Sequence, residues 1–444
     1  MLKNLFILHL SLFCFYAHAG IQTPQVYEKV LSNQMKVLVK KDNRAPVVVS
    51  QIWYKVGSSY ESSGITGVSH VLEHMMFKGT PSHPGDTFNQ LIARYGGEDN
   101  AFTGKDYTGY YQKLEKSHLE VSFKLEADRM RNLTFSDEDF EKEVMVVQEE
   151  RRWRTDDNPQ ARAYEQLYVS AFENSGYHYP IIGWMDDLEN LQPQDAKKWY
   201  QTYYSPNNAT LVVAGDVDPL QVFGLAETYF GDIPAQTMPP QKLRKERPQY
   251  GTKQIHMQLK AKVPYVIMGY KVPSLITASE AWEPYALELL AGLLDGGDST
   301  RLPKHLIKGE AVASAASVSY SSASRLDTLF TIEATPSKGQ SLQRVKQAID
   351  EQLQALITAP VSARELKRVK NQIIAADVYE KDSVFYQAMK MGIAETIGLG
   401  WQRGENFVEK INEITAEQIQ QVAKKYLHSR TLTIVEVEPV TKQG

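Results

Sequence analysis

The chain has 444 residues, of which 42% are hydrophobic and 23% charged, and its formal net charge is -4. That length exceeds one ordinary core and predicts more than one domain. The slightly acidic balance lacks the basic excess of a nucleic-acid binder.

The chain opens on a segment of its own. Lys3 supplies a positive start, and residues 5–16 are apolar apart from His9 and Ser11. Ala17-His18-Ala19 then fits a small-x-small cleavage site. The apolar run is too short to span a bilayer, which needs about 20 residues. Residues 1–19 are therefore expected to be a cleaved secretory signal, and the mature chain to be periplasmic or secreted without a stable membrane anchor. The sole cysteine, Cys14, lies inside this segment. A mature chain then has no disulfide and no thiolate ligand, so any metal must be held by His, Asp or Glu.

Strand-like runs at 36–39 and 47–56 precede the first helix. In residues 67–80, GVSHVLEHMMFKGT, Val68, Val71, Leu72, Met75 and Met76 recur at the spacing of an amphipathic helix. Thr66 can cap its start and Gly79 can end it. His70, Glu73, His74 and Phe77 fall on the other side. Two histidines four apart stand one above the other, with Cβ atoms roughly 5–6 Å apart. Both imidazoles can therefore bind one tetrahedral metal. The pattern is His-x-x-Glu-His, the inverted form of the common zinc helix.

Such a pair needs a third protein ligand and an open fourth position. Residues 140–152, FEKEVMVVQEERR, read as a helix with Val144, Val147 and Gln148 on a partly buried side. Glu143 and Glu150 are seven apart and share a face, about 10 Å apart along the axis. Spacing alone leaves Glu143, Glu149 and Glu150 all open as the ligand.

Residues 234–250, PAQTMPPQKLRKERPQY, carry four prolines and a basic cluster and read as a linker. Strand-like segments at 255–260 and 266–270 and a helix at about 279–294 follow, in the order of the first half. Near the end of each half a helix ending in Tyr runs through a polar turn into a strand. The strand at 210–213 matches that at 431–434, which points to an internal duplication. Each half mixes strands and helices in an α+β manner. The expected division is signal 1–19, first domain 20–233, linker 234–250 and second domain 251–444.

These motifs resemble the inverzincin peptidases: pitrilysin, insulin-degrading enzyme and the mitochondrial processing peptidase. Residues 95–111, YGGEDNAFTGKDYTGYY, are similar to the family's Gly-rich turn and following strand, and residues 152–159 and 176–183 also fit. The resemblance implies that Glu150, 76 positions after His74, is the third ligand of Zn2+ and Glu143 a supporting acid. It implies Glu73 as the general base on a zinc-bound water, and Asn100 and Ala101 as the edge that binds substrate. The size of the chain is most similar to the processing-peptidase branch, with two homologous α/β-roll domains forming half of a clam-shell dimer. The implied activity is that of a zinc metalloendopeptidase acting on peptides or unfolded polypeptides in a closed chamber.

The sequence departs from the family in its second half. The helix equivalent to the histidine helix, WEPYALELLAGLLDGG at 282–297, has no histidine. Active members also carry an Arg and a Tyr seven apart, whose places here fall at Ile307 (or Lys308) and Ser314; Tyr320 is a poor substitute by spacing. That absence admits two readings: a homologous partner subunit supplies the pair, which the size of oxyanion-type stabilisation favours, or the chain is a homodimer with a modified site or low activity. The alternative is a non-catalytic scaffold or peptide-binding subunit of the same fold. The remaining histidines show no ligand spacing and read first as structural or solvated; His178, within a segment the resemblance covers, is a secondary candidate to line the chamber.

Overall fold

Two mixed sheets frame the computed structural model, which describes residues 26–240 and 244–440. The expected signal, with Cys14, lies outside the described residues, as do linker residues 241–243. The first sheet holds β1 (Val26–Val30), β2 (Lys36–Lys41), β3 (Val47–Tyr54), β4 (Glu98–Thr103), β5 (Thr108–Glu115) and β6 (Ala209–Gly215), in the order β1-β2-β6-β3-β5-β4. The second holds β7 (Lys253–Leu259), β8 (Tyr265–Val272), β9 (Ala313–Ser319), β10 (Thr328–Pro336) and β11 (Leu432–Pro439), in the order β7-β11-β8-β10-β9.

Both sheets share one topology. The last strand of each, β6 or β11, inserts between two earlier ones, parallel to one and antiparallel to the other. The matched segments fall on these equivalent strands, residues 210–213 on β6 and residues 432–434 on β11, with Thr431 just before it. The α+β class, with two homologous sheets each covered by helices, is the architecture observed.

Every residue of β6 is buried, and so is all of β3 after Val47. Strands with continuous apolar runs need cover on both faces. One face of the first sheet packs on the histidine helix, Val68–Met75, whose Val68, Val71, Leu72 and Met75 are fully buried. The other face is covered from the second half of the chain. There Leu38, Val49, Trp53 and Val212 meet Ala388 and Met391 of the helix Val384–Thr396. Gly392 lies so close that an added Cβ would fall 2.0 Å from Trp53 Cε2.

The second sheet is covered in the same way from the first half. The helix Pro159–Ala171 lays Ala163, Leu167 and Ala171 on it, against Ile267, Leu329 and Val435. Each such leucine or valine contributes about 1.5–3 kcal/mol on burial. Arg325, in the loop before β10, adds a polar tie. Its guanidinium bonds to Asp106 Oδ1 (3.2 Å) and Ser59 Oγ (2.8 Å) and stacks 4.2 Å over Tyr60. The halves are thus sequential in strands but exchanged in helices.

The helix expected at about 279–294 spans Glu283–Leu294, with Pro284 in its first turn, where the missing N–H is not needed. Among the described residues, no helix is long and apolar enough to cross a membrane.

Candidate metal centre

The start of the histidine helix differs from the sequence expectation. Its N-cap is Gly67, not Thr66, with φ of 86° and no side-chain cap from itself. A side chain could not be placed there, because a Cβ would meet Ile182 O at 2.7 Å. The first N–H groups are satisfied from outside instead. Glu61 accepts from Gly67 N–H (2.8 Å) and Ser69 N–H (2.9 Å), while Asp187 takes the N–H and hydroxyl of Thr66. A carboxylate suits the positive end of a helix. Burial still pushes the Glu61 carboxyl up to about 7.

The glutamate helix, Asp137–Arg151, begins with a capping box between Ser136 and Asp139. Phe140, Val144 and Val147 bury its inner side, which turns Glu143 and Glu150 toward the histidine helix. Glu150 Oε1 lies 3.9 Å from His70 Nε2, and its Oε2 lies 3.5 Å from His74 Nε2. The two imidazole centroids are 4.8 Å apart. One donor atom each from His70, His74 and Glu150 falls within 4.8 Å of the others, a set that could hold a metal ion. Glu149, the third candidate by spacing, pairs with Arg152 on the exposed side.

Glu143 occupies the place of a supporting acid. Its Oε1 accepts the Nδ1–H of His74 at 2.9 Å, and its other oxygen pairs with Lys78. This bond fixes the tautomer that leaves the lone pair of His74 Nε2 available to a metal, on the side that faces Glu150. The His74 contact, together with Lys78, holds the Glu143 carboxyl down at about 2. Burial works to lower the basicity of His74, but Glu143 and the surrounding carboxylates outweigh it and the net shift is upward. His70 behaves oppositely. Burial first, then His74 and Arg154, hold it down at about 3, so it stays neutral as a ligand requires. Its Nδ1 is buried and meets no protein partner.

Glu73 projects from the same helix and accepts from Thr103 Oγ1 at 2.5 Å. Burial raises its pKa, with Thr103 and His74 opposing. Thr103 ends β4, the edge strand, so substrate laid along that edge would arrive beside Glu73. Asn100 and Ala101 lie on that same strand, and Ala101 lines the cavity next to His70 and Glu73. His178 also lines that cavity. His83 instead pairs with Asp128, and His256 with Glu436.

The second half holds no comparable cluster among the described residues. Ile307 packs against the second core, Ser314 bonds to the carbonyls of Thr335 and Pro336, and the hydroxyl of Tyr320 donates to Pro273 O. Sequence reasoning missed three features around the site: Lys105, Arg154 and the π-turn Arg152–Asp156 that carries Arg154. The charge run at 149–154 is a visible signal, but a run of that kind usually marks a solvated face.

Two duplicated sheets, with a His-Glu-His helix and an acidic helix converging on one of them, define a two-domain metallopeptidase fold. The chain belongs to the insulinase family, peptidase family M16, whose model matches residues 36–183. The model described as the peptidase M16 inactive domain matches residues 190–373. The "Zinc protease PqqE" of Helicobacter pylori is 32% identical over 80% of this chain and 79% of its own. The mitochondrial-processing peptidase subunit beta of Blastocladiella emersonii is 23% identical over 96% of this chain and 91% of its own. The crystal structure of a protease from Helicobacter pylori superimposes with a TM-score of 0.87 at 28% identity, covering 94% of this chain and all of that one.

Proposed function

We propose that this chain is a zinc metalloendopeptidase, acting on peptides or unfolded polypeptides, with one metal site in its first half. The convergence of His70, His74 and Glu150 carries the reading. Two imidazoles and one carboxylate with room for a fourth ligand are the donor set of catalytic zinc. Held by His70, His74 and Glu150, zinc would supply Lewis-acid chemistry, polarising a carbonyl and lowering the pKa of a water toward about 7.

The chain's own groups do the rest. Glu73, held by Thr103, takes a proton from the attacking water on its free carboxylate oxygen and passes it to the leaving amine. Glu143 orients His74. The β4 edge at Asn100 and Ala101 pairs with the substrate backbone, which gives affinity with little demand on sequence. The positions at 307 and 314 lack the Arg and Tyr expected to steady the tetrahedral intermediate. That is a large term to forgo, so the chain works as a dimer with a homologous subunit that supplies them around a closed chamber. The division at 234–250 and a periplasmic or secreted location belong to the same reading.

A second reading is a non-catalytic scaffold of the same fold. The match of residues 190–373 to the inactive-domain model favours it for the second half. The complete ligand set in the first half favours the peptidase.

Zinc content and cleavage of a quenched fluorogenic peptide decide between them, measured for the chain alone and with a homologous partner. We expect one zinc per chain and cleavage only with the partner. Cleavage unaided overturns the partner requirement, and no zinc overturns the peptidase. Glu73→Gln is expected to keep zinc and lose activity by about 10²–10⁴-fold, while His74→Ala loses the metal.

A further inference from the structure

His70 and Glu150, with Glu73, form one wall of a cavity of about 560 Å³. Much of the rest is apolar, built from Phe102, Tyr164, Tyr168, Ile181 and Ile182. Two cations interrupt it. Lys105 Nζ donates to the carbonyls of Tyr177 (2.8 Å) and Tyr179 (3.1 Å) and lies 4.6 Å from the centre of the Tyr168 ring. No carboxylate among the described residues lies within ion-pair distance of it. Burial draws the Lys105 ammonium down to about 8, so it is still mostly charged at neutral pH.

The nearby acids are committed elsewhere. Asp106 serves Arg325, Ser59 and Tyr177. Glu165 serves Arg151 and Arg162. Glu73 and Glu150 belong to the metal site. The second cation, Arg154, is 64% exposed, and its Nη1 lies 2.6 Å from Glu150 Oε1. Ligation of a metal by Glu150 competes for that partner. Glu61, which also acts on Lys105 from a distance, is bound to the Gly67 and Ser69 N–H groups. The cavity therefore holds an ammonium with no carboxylate in contact and a guanidinium whose counter-ion is shared.

We propose that this cavity is a carboxylate-selective subsite, taking an acidic side chain near the scissile bond or the terminal carboxylate of a short peptide. Lys105 and Arg154 meet the carboxylate by charge-assisted hydrogen bonds, and Tyr164, Tyr168 and Ile182 cover the methylenes. The inference rests on the peptidase reading above and names its preferred substrate.

The test uses N-terminally labelled decapeptides with Glu placed at each position in turn, their Gln counterparts, and acid and amide forms of each. Binding to the zinc-loaded Glu73→Gln chain is read by anisotropy, and cleavage by the unaltered chain with its partner. At one position Glu is expected to be preferred over Gln by about tenfold or more. The preference should approach parity in Lys105→Met and in Arg154→Gln. If the source is a chain terminus, the acid form beats the amide by that factor wherever Glu stands. Equal binding of Glu and Gln peptides and of acids and amides overturns the proposal, and so does a preference that survives both substitutions. Should Lys105→Met fail to fold, the exposed Arg154→Gln decides, with its zinc content measured alongside. Selective binding without any cleavage keeps the subsite and removes the peptidase reading; cleavage without acid preference does the reverse.

Discussion

Replacing Glu61 tests how the start of the histidine helix is held. Its carboxylate takes two N–H groups, from Gly67 at 2.8 Å and Ser69 at 2.9 Å, and the residue is only 5% exposed. Glu61→Ala leaves two buried donors unpaired at about 1–3 kcal/mol each, a loss of roughly 2–6 kcal/mol. Glu61→Gln keeps one acceptor oxygen and turns amide hydrogens on the second donor, which costs about half as much. The pH dependence isolates the carboxyl itself. Burial raises it from 4.5 to about 7, against the pull of the Ser69 and Gly67 N–H groups. The folded chain therefore binds this proton more tightly than the unfolded chain does. The stability it gives is fully present below pH 4.5 and is lost as pH rises through about 7. The change is on the order of 3 kcal/mol. The amide of the Glu61→Gln variant cannot titrate, so wild-type stability minus that of the variant should fall by this amount over that range. Urea denaturation of EDTA-treated protein from acid to mildly alkaline pH measures it. A difference that stays flat with pH would refute a buried, proton-binding Glu61 at the helix start.

Two further outcomes follow from contacts already described. Glu143→Gln keeps an oxygen for the Nδ1–H of His74 but removes its charge, so zinc affinity should fall about 10–100-fold in competition with a chromophoric chelator; unchanged affinity would deny Glu143 its orienting role. Gly392→Ala drives a methyl into Trp53 and should cost about 1–3 kcal/mol, more than the about 0.5–1 kcal/mol that alanine returns in a helix. A stabilised variant in urea denaturation would mean that the helix Val384–Thr396 does not seat on the first sheet as described.

The chemistry is more legible in the sequence than the packing. His70, Glu73 and His74 lie within one helical turn, where residue spacing fixes their relation. Glu150 cannot be told from Glu143 and Glu149 by spacing, because the choice depends on which face of the second helix is turned inward. Phe140 and Val147 decide that, through contacts with distant residues. The duplication is visible because β6 and β11 repeat a short strand pattern in equivalent places. The cap is misplaced by local reading because Thr66 is the nearest hydroxyl, whereas the acceptor is Glu61, brought in by a loop that precedes the helix. Lys105 reads as one charge in a turn. Its place beside the Tyr168 ring needs the helix Pro159–Ala171 to cross to the other sheet, and no local pattern announces that crossing.

The exchange of helices bears on how this chain comes into being. The outer face of the first sheet, with Trp53 and Val212, receives its cover from residues 384–396. Those residues are synthesised long after the strands they protect. A chain growing from its amino end therefore carries an open apolar surface, beside a metal site whose ligands are already made, until nearly the whole polypeptide has emerged. Completion of the second half acts as the seal on the first. A product cut short before residue 384 would leave that face of the first sheet bare, and so be marked for aggregation or removal.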